Sequence, residues 1–197
     1  MIVASYELQK SPEWHQMRRN GVGASEIAAL FGESPFMPKN AAELYEVKTG
    51  EREVFVNDAM RYGNQHEDAA RAKLEAEFGG PFEPQVLLDI AEPRIIASLD
   101  GQSYDGDMIA EIKCPPKGRE SKTWKYVEDN GKPPRNYWLQ VQQQLMVAEA
   151  QRCIFAVYDA NDDEVITTEV VADPATHKQI REACAEFLKA LDAGEKP

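Results

Sequence analysis

The chain has 197 residues, of which 43% are hydrophobic and 28% are charged, and its formal net charge is −12. This composition is typical of a soluble globular protein and predicts one domain over residues 1–197. The sequence contains no run of 18 apolar residues and no basic-then-apolar secretory signal, so we expect a cytoplasmic protein that does not act at a membrane. Three scattered cysteines argue against a disulfide framework, a zinc site and an iron–sulfur cluster.

Helical patterns and short β-branched runs follow one another along the chain. Helices are predicted at residues 11–19, 25–32, 40–50, 58–80, 133–150 and 173–194. Strands are predicted at 85–90, 94–100, 108–114, 152–159 and 164–172. Ser11 and Ser25 stand at N-cap positions, and Gly32, Gly50 and Gly79 stand where helices end. This order predicts an α/β (α+β) fold, a sheet covered by helices.

The strand "MIAEIKC" places ionisable groups where a buried hairpin is expected. Its side chains alternate between two faces, and one face is apolar throughout: Met108, Ala110, Ile112 and Cys114. The other face carries Glu111 and Lys113, and Asp100 approaches them if the preceding loop closes as a hairpin. A carboxylate removed from water costs several kcal/mol unless it is paired or bound to a metal. The alternative, which the spacing alone favours, is a Glu–Lys pair on a solvated strand face.

Two helices carry polar groups on or beside apolar stripes. The stripe of the long helix consists of Met60, Gly63, Glu67, Ala70, Leu74 and Phe78. Glu67 is therefore expected to point inward, which is rare for a carboxylate without a partner. In the later helix, four glutamines flank a stripe made of Trp138, Val141, Leu145 and Ala148. Of these, Gln140 could face the same pocket as the carboxylates, although an exposed glutamine is the simpler interpretation.

Three carboxylates and one lysine suggest a particular chemistry. Carboxylate oxygens suit Mg²⁺, which keeps several waters and binds substrate phosphates beside a few protein ligands. Two such ions can activate a water and stabilise the leaving oxygen in phosphodiester hydrolysis. A nearby lysine can orient or deprotonate that water, or neutralise charge on the phosphate.

The N-terminal segment "RRNGVGASE" predicts a second site. Arg18 lies just before a glycine-rich turn that leads to a helix N-terminus at Ser25. Backbone N–H groups, a hydroxyl and a guanidinium together suit a phosphate group. Ordinary N-capping beside a surface arginine is the alternative.

The charge is uneven along the chain. Residues 111–140 hold four acids and seven basic residues, which are Lys113, Lys117, Arg119, Lys122, Lys125, Lys132 and Arg135. A locally basic surface on an acidic body is one interpretation, and a solvated loop of mixed charge is the other.

Six blocks of the sequence occur in the order of a known family: "SPEWHQMRRNGVGASE", "RYGNQHEDAAR", "IIASLDG", "IAEIKCP", "NYWLQVQQQLMV" and "FAVYD". The chain resembles the YqaJ-type viral recombinase family, the lambda-exonuclease-like branch of the PD-(D/E)xK nucleases. The resemblance implies a central mixed sheet flanked by helices and Mg²⁺-dependent 5′-to-3′ digestion of one strand of duplex DNA. It also implies two Mg²⁺ ions, for which Mn²⁺ can substitute, a ring-shaped homotrimer and a partner that anneals single strands.

The same resemblance implies a role for individual residues. Asp100, Glu111 and the Ile112 carbonyl would hold the metals, Lys113 would position the attacking water, and Glu67 and Gln140 would complete the pocket. Arg18, Ser25 and Ser98 would bind the 5′-phosphate. Met60 would act as a wedge at the end base pairs, Tyr137 would lie near the pocket, and Lys117, Arg119 and Lys122 would contact DNA. Lys125, Lys132 and Arg135 would also line the channel of the ring.

The chain also departs from the family pattern. Leu99 replaces the proline of the family name, and Gly23 stands where a hydroxyl residue can assist the phosphate pocket. The stretch "EIAALFGESPFMPKN" matches poorly, and the C-terminal part is shorter. Two alternatives stay open, which are an endonuclease of the restriction or repair type and a non-catalytic subunit that binds DNA ends.

Overall fold

The computed structural model of the protein describes residues 2–4, 11–55 and 57–197. The α-helices are α1 Pro12–Asn20, α2 Ile27–Leu30, α3 Ala41–Thr49, α4 Asp58–Phe78, α5 Lys122–Asn130, α6 Arg135–Ala148 and α7 Pro174–Ala193. The strands are β1 Ile2–Ala4, β2 Val22–Gly23, β3 Glu83–Leu88, β4 Ile95–Gln102, β5 Met108–Lys113, β6 Arg152–Asp159 and β7 Glu164–Val171. Each predicted helix and strand is present, with small shifts of its ends.

The strands form one mixed sheet. Its order is β1-β3-β4-β5-β6-β7, and β2 pairs with β4 outside this path. The pairs β1–β3, β3–β4, β4–β5 and β6–β7 are antiparallel, whereas β2–β4 and β5–β6 are parallel. The α/β (α+β) architecture with a central mixed sheet flanked by helices is thus confirmed.

Strand β5 is buried on both faces. Its apolar face, with Ala110, Ile112 and Cys114, packs in a cluster with Ala70 and Leu74 of α4. The opposite face contributes Ile109 to the main core, which also contains residues of α2, α6 and α7. Glu111 lies on this second face and is only 2% exposed. The interpretation of Glu111 and Lys113 as a pair on a solvated strand face is therefore wrong.

From Leu139 onward, helix α6 is buried on every side, not along one stripe. All residues from Leu139 to Ala148 are buried, and they include Gln140, Gln142, Gln143 and Gln144. Because a buried amide needs hydrogen-bond partners, each glutamine contacts a specific group on a neighbouring element. The interpretation of Gln140 as an exposed glutamine on a helix flank is wrong.

Other features also differ from the sequence-based expectations. Ser25 does not cap α2, because it lies in a 3₁₀ turn, Ala24–Glu26, that precedes the helix. Only the middle of the α4 stripe is buried, since Met60 and Phe78 at its two ends are exposed. Helix α5, which begins at the N-cap Ser121, lies in a segment that was expected to be a basic surface or a loop.

Two further observations concern the chain as a whole. Within the described ranges, none of the helices is both long enough and apolar enough to span a membrane. The three cysteines are buried free thiols.

Candidate active site

The site lies where β4 and β5 separate. The predicted hairpin is confirmed, and its antiparallel pairing joins Gly101 to Ala110 and Gln102 to Ile109. The backbone pairing of the two strands ends at Gly101 and Ala110. Next to this pair, the Asp100 carboxylate accepts a hydrogen bond from the Ile112 N–H at 2.7 Å. The local geometry therefore holds Asp100 against β5, next to Glu111.

Glu111 is fixed by three hydrogen-bond donors. Its Oε1 accepts from the Lys113 ammonium and from Gln140 Nε2, the latter at 2.7 Å. Its Oε2 accepts from Gln144 Nε2 at 2.5 Å. Gln144 was not singled out in the sequence, although its spacing of four residues from Gln140 places both amides on one face of a helix. The buried carboxylate is thus held in place by an ion pair and two amides.

Glu67 reaches the site from α4 together with a residue that sequence reasoning missed. Arg71, one helical turn later, donates to Glu67 Oε1 at 2.7 Å and to the Asp100 backbone carbonyl at 2.7 Å. The Glu67 side chain is 27% exposed, so it borders the site from its solvent side. The Glu–x₃–Arg spacing was the available signal, since it allows an ion pair on a helix.

The electrostatics of the site follow from this convergence. Burial, Glu111 and Glu67 raise the pKa of Asp100 well above its usual value, and Lys113 and the Ile112 N–H only partly oppose them. Burial alone would lower the pKa of Lys113, but Glu111, Tyr137 and Asp100 raise it above its usual value. The Lys113 ammonium also lies 4.8 Å from the centre of the Tyr137 ring. In this arrangement the carboxylates repel one another, and Lys113 at Glu111 and Arg71 at Glu67 are the compensating cations.

These residues provide a hard, negatively charged set of oxygen ligands. Within the described chain, no group of three or more His, Cys, Asp or Glu side chains is arranged to hold a metal ion. Mg²⁺ does not require such a cage, because it binds through one or two carboxylates and retains its waters. Burial raises the pKa of Asp100 most, and the nearby negative charges of Glu111 and Glu67 add to it; a bound cation would offset both effects. Asp100 and Glu111 therefore fit a divalent metal, and the Ile112 carbonyl as a further ligand stays a prediction.

The predicted phosphate-binding residues lie together around Trp14. The Arg18 guanidinium lies 4.9 Å from the Trp14 ring centre, and Trp14 Nε1 donates to Ser98 Oγ at 3.4 Å. Arg18 Nη2 also donates to Ser25 Oγ at 3.1 Å. Ser98 is two residues before Asp100 in β4. The three residues are thus brought together, next to the carboxylates, through a tryptophan that the sequence analysis had not selected.

A buried ion pair supports this cluster. Glu26 accepts from Lys48 Nζ at 2.8 Å and from the Gly23 N–H at 2.8 Å, and it lies 3.2 Å from Arg18 Nη2. Burial opposes ionisation of Glu26, but Arg18 and Lys48 outweigh it and lower the pKa. Burial lowers the pKa of Lys48 despite the opposing effect of Glu26. Glu26 and Lys48 are 22 residues apart, so no local pattern predicts their contact.

Gly23 has a steric reason to lack a side chain. A Cβ built at this position would lie 2.5 Å from Arg18 Nη1. A hydroxyl residue there, as the family allows, would displace the guanidinium from its present position.

The predicted DNA-contacting residues are mostly exposed. Met60 is 49% exposed at the start of α4. Arg119 pairs with Glu164 at 2.5 Å, and its guanidinium lies 5.7 Å from the Trp124 ring centre. The other basic candidates are likewise exposed: Lys117, Lys122, Lys125, Lys132 and Arg135. Their role in DNA binding stays a prediction.

Comparisons with known proteins agree on the family. The model of the YqaJ-like viral recombinase domain matches residues 13–151. Two crystal structures of LHK-Exo, an alkaline exonuclease from Laribacter hongkongensis, are similar to the chain with a TM-score of 0.76 each. They are 29% and 28% identical to it, and in each case the match covers 93% of this chain and 94% of the other; the first structure is a complex with dAMP.

A third structure shows the same fold at lower identity. It is a phage related exonuclease from Haemophilus somnus 129PT, 12% identical with a TM-score of 0.67, and the match covers 88% of this chain and 94% of that one. No curated protein sequence is significantly similar to the chain. Because the domain match covers more than half of the residues, the chain belongs to the YqaJ-like viral recombinase family.

Proposed function

We propose that the protein is a Mg²⁺-dependent 5′-to-3′ exonuclease that digests one strand of linear duplex DNA and leaves 3′ single-stranded tails for strand annealing. The observation that carries this proposal is the convergence of Asp100, Glu111 and Lys113 where β4 and β5 separate. Family membership and the similarity to alkaline exonucleases support the same reaction class.

Each polar group of the centre has a part in hydrolysis. Asp100 and Glu111, with the Ile112 carbonyl, would hold the metal ions. When bound, such ions would supply activation of water and stabilisation of charge on the leaving oxygen. The Lys113 ammonium donates hydrogen bonds and orients the attacking water beside Glu111. Gln140 holds Glu111, and Glu67 completes the pocket from α4.

The direction of digestion rests on the cluster around Trp14. Arg18, Ser25 and Ser98 supply a guanidinium and two hydroxyls for the 5′-phosphate of the strand being shortened. With Lys48 and Glu26 included, two cations face one carboxylate, which leaves this pocket net positive. Ser98 lies two residues before Asp100 in the same strand, so a bound 5′-phosphate would lie close to the scissile bond.

The path of the duplex is proposed from exposure and charge. Met60, exposed at the start of α4, would separate the end base pairs, and Tyr137 lies against Lys113. Lys117, Arg119 and Lys122 would contact the phosphate backbone. A homotrimeric ring would place these cations inside a channel, with the acidic charge of the chain outside, and a strand-annealing protein would receive the 3′ tails.

The test uses linear duplex DNA labelled at either end, incubated with the purified protein and Mg²⁺ or EDTA. We expect Mg²⁺-dependent release of label from 5′ ends and retention of 3′ label until late in digestion. Glu111→Ala should slow digestion by more than about 100-fold and leave end binding intact. Glu186→Ala, which removes an exposed carboxylate of α7, is the matched control and should digest normally. Cleavage of circular duplex would favour an endonuclease, and full activity of Glu111→Ala would contradict this site.

A further inference from the structure

The Gln144 amide of α6 bridges the gap between β4 and β5, in addition to the hydrogen bond from the Ile112 N–H to the Asp100 carboxylate. Gln144 Nε2 donates to the Ser98 backbone carbonyl at 3.0 Å and to Glu111 Oε2 at 2.5 Å. The amide therefore connects β4, two residues before Asp100, to the central carboxylate of β5. No backbone pairing of the β4–β5 ladder is present at this level of the described structure.

The orientation of this side chain is set by its donors. The NH₂ group of glutamine has two hydrogens, and the two contacts use both of them. Gln144 Oε1 is buried and has no hydrogen-bond partner among the described residues. Burying an acceptor without a hydrogen-bond partner costs free energy. The two hydrogen bonds that the Gln144 NH₂ group donates therefore hold the side chain in this orientation.

The three donors on Glu111 are not equivalent. Lys113 and Gln140 both bind Oε1, whereas Gln144 is the contact to Oε2 within the described structure. Without Gln144, the carboxylate could rotate about the two contacts on its other oxygen. Each carboxylate oxygen has two lone pairs, so Oε2 can accept from Gln144 and still bind a cation.

We propose that Gln144 is a positioning residue for the metal centre: it orients Glu111 through Oε2 and fixes β4 relative to β5 so that Asp100 and Glu111 can share a cation. This inference rests on the proposed function, because it assumes that these carboxylates hold the metal. Replacing a residue that orients a metal ligand typically lowers metal affinity or activity by about 10–100-fold.

Helix α6 offers a matched control in Gln142. This residue is also fully buried, and its amide donates to the Val171 carbonyl at 2.9 Å and accepts the Asp173 N–H at 2.9 Å. These partners belong to the region where β7 leads into α7, away from Glu111. Replacing either glutamine by methionine removes buried hydrogen bonds from the same helix, but only one replacement alters the contacts of Glu111.

The experiment measures Mn²⁺ binding to the full chain without DNA, by the electron paramagnetic resonance of free Mn²⁺, together with the melting temperature. We expect Gln144→Met to raise the Kd for Mn²⁺ about 10–100-fold, and Gln142→Met to change it less than about twofold at a similar loss of melting temperature. Equal Kd values for the two variants would overturn the inference and leave Gln144 a structural residue.

A second variant protects the test against a folding failure. Gln144→Asn keeps the amide but shortens it by one methylene, so it cannot span from α6 to Glu111, and the same rise in Kd is expected, with Gln142→Asn as its control. Glu111→Ala distinguishes a failure of the metal site from a failure of the positioning role of Gln144. If it binds Mn²⁺ as tightly as the parent, both the metal site and the inference fail. If it loses binding but both Gln144 variants bind normally, only the positioning role fails.

Discussion

Individual polar side chains connect the elements of this site. Glu111 accepts hydrogen bonds from Lys113 of β5 and from two glutamines of α6. Asp100 accepts a hydrogen bond from a backbone N–H of β5. Glu26 likewise connects the turn after β2 to Lys48 of α3. Glu111 and Glu26 have different partners. A single substitution should therefore affect either the carboxylate centre or the cluster around Trp14, but not both.

The proposed phosphate-binding residues around Trp14 can be tested by removing a side chain or by adding one that displaces Arg18. Arg18→Ala should slow digestion of 5′-phosphorylated ends by about 10- to 150-fold more than that of 5′-hydroxyl ends, because a charge-assisted hydrogen bond contributes about 1.5–3 kcal/mol. Gly23→Ala should act in the same direction, since its Cβ would displace the Arg18 guanidinium. Digestion rates on the two kinds of end provide the measurement. Gly80→Ala, where a Cβ meets no atom within 4 Å, is the control. An equal loss on both ends would contradict the phosphate pocket.

The Glu26–Lys48 pair predicts a pH dependence of stability. Glu26→Gln should destabilise the fold by about 3–5 kcal/mol near pH 7, because it leaves the buried Lys48 without its carboxylate. The pKa of Glu26 is lowered in the fold, so its ionised form stabilises the protein above its usual pKa of 4.5, and this contribution is lost as the pH falls through the folded value. Urea denaturation of parent and variant from pH 7 to about 3 measures the difference. A difference that stays constant below about pH 4.5 would contradict the ionised state assigned to Glu26.

Secondary-structure elements position these residues in ways that the sequence revealed only in part. The alternation in β5 and the spacing of Glu67 in α4 are local patterns, so the inward position of Glu67 could be predicted from them. For Glu111 the spacing alone favours a solvated strand face, and the pocket shared with Asp100 and Glu67 is implied by the family resemblance. The burial of α6 on every side from Leu139 to Ala148 could not be predicted, because a polar run such as "QVQQQ" is expected on a helix surface. Contacts between distant elements, such as Trp14 with Ser98, leave no periodic signal in the chain.

The turn that leads from β5 to α5 is fixed by a close contact. Gly118 has a φ of 47°, and a Cβ there would lie 2.0 Å from the carboxylate carbon of Asp159 at the end of β6. The Asp159 carboxylate also accepts the Arg119 N–H at 3.0 Å. These contacts place the loop that carries Lys117 and Arg119.

Gly118→Ala should therefore destabilise the protein by about 1–3 kcal/mol more than a glycine replacement with free space around it, since overpacking adds to the strain of a positive φ. Gly131→Ala is the matched control, because Gly131 has a φ of 61° but a Cβ there meets no atom within 4 Å. Urea unfolding midpoints of the two variants provide the comparison. Equal destabilisation would show that the contact with Asp159 carries no energy of its own.

The whole molecule combines a formal net charge of −12 with a basic segment that follows the candidate active site. Seven of its 22 lysines and arginines lie in residues 111–140. Because exposed charges are screened beyond about 10 Å at 0.1 M salt, DNA held at this segment would be attracted locally in spite of the acidic body. Under the proposed function, the position of the basic residues therefore matters more for DNA binding than the net charge of the chain.

This local attraction predicts a specific salt dependence. The double variant Lys117→Gln/Lys122→Gln should reduce the steepness of log K against log salt by about 1.8 for binding to linear duplex in EDTA, since each lost phosphate contact releases about 0.9 fewer counterions. Lys178→Gln/Lys189→Gln removes the same charge from exposed positions of α7 and should leave the slope unchanged. Fluorescence anisotropy at four or more salt concentrations measures both slopes. If the two double variants change the slope equally, the DNA is responding to net charge and not to the segment after β5.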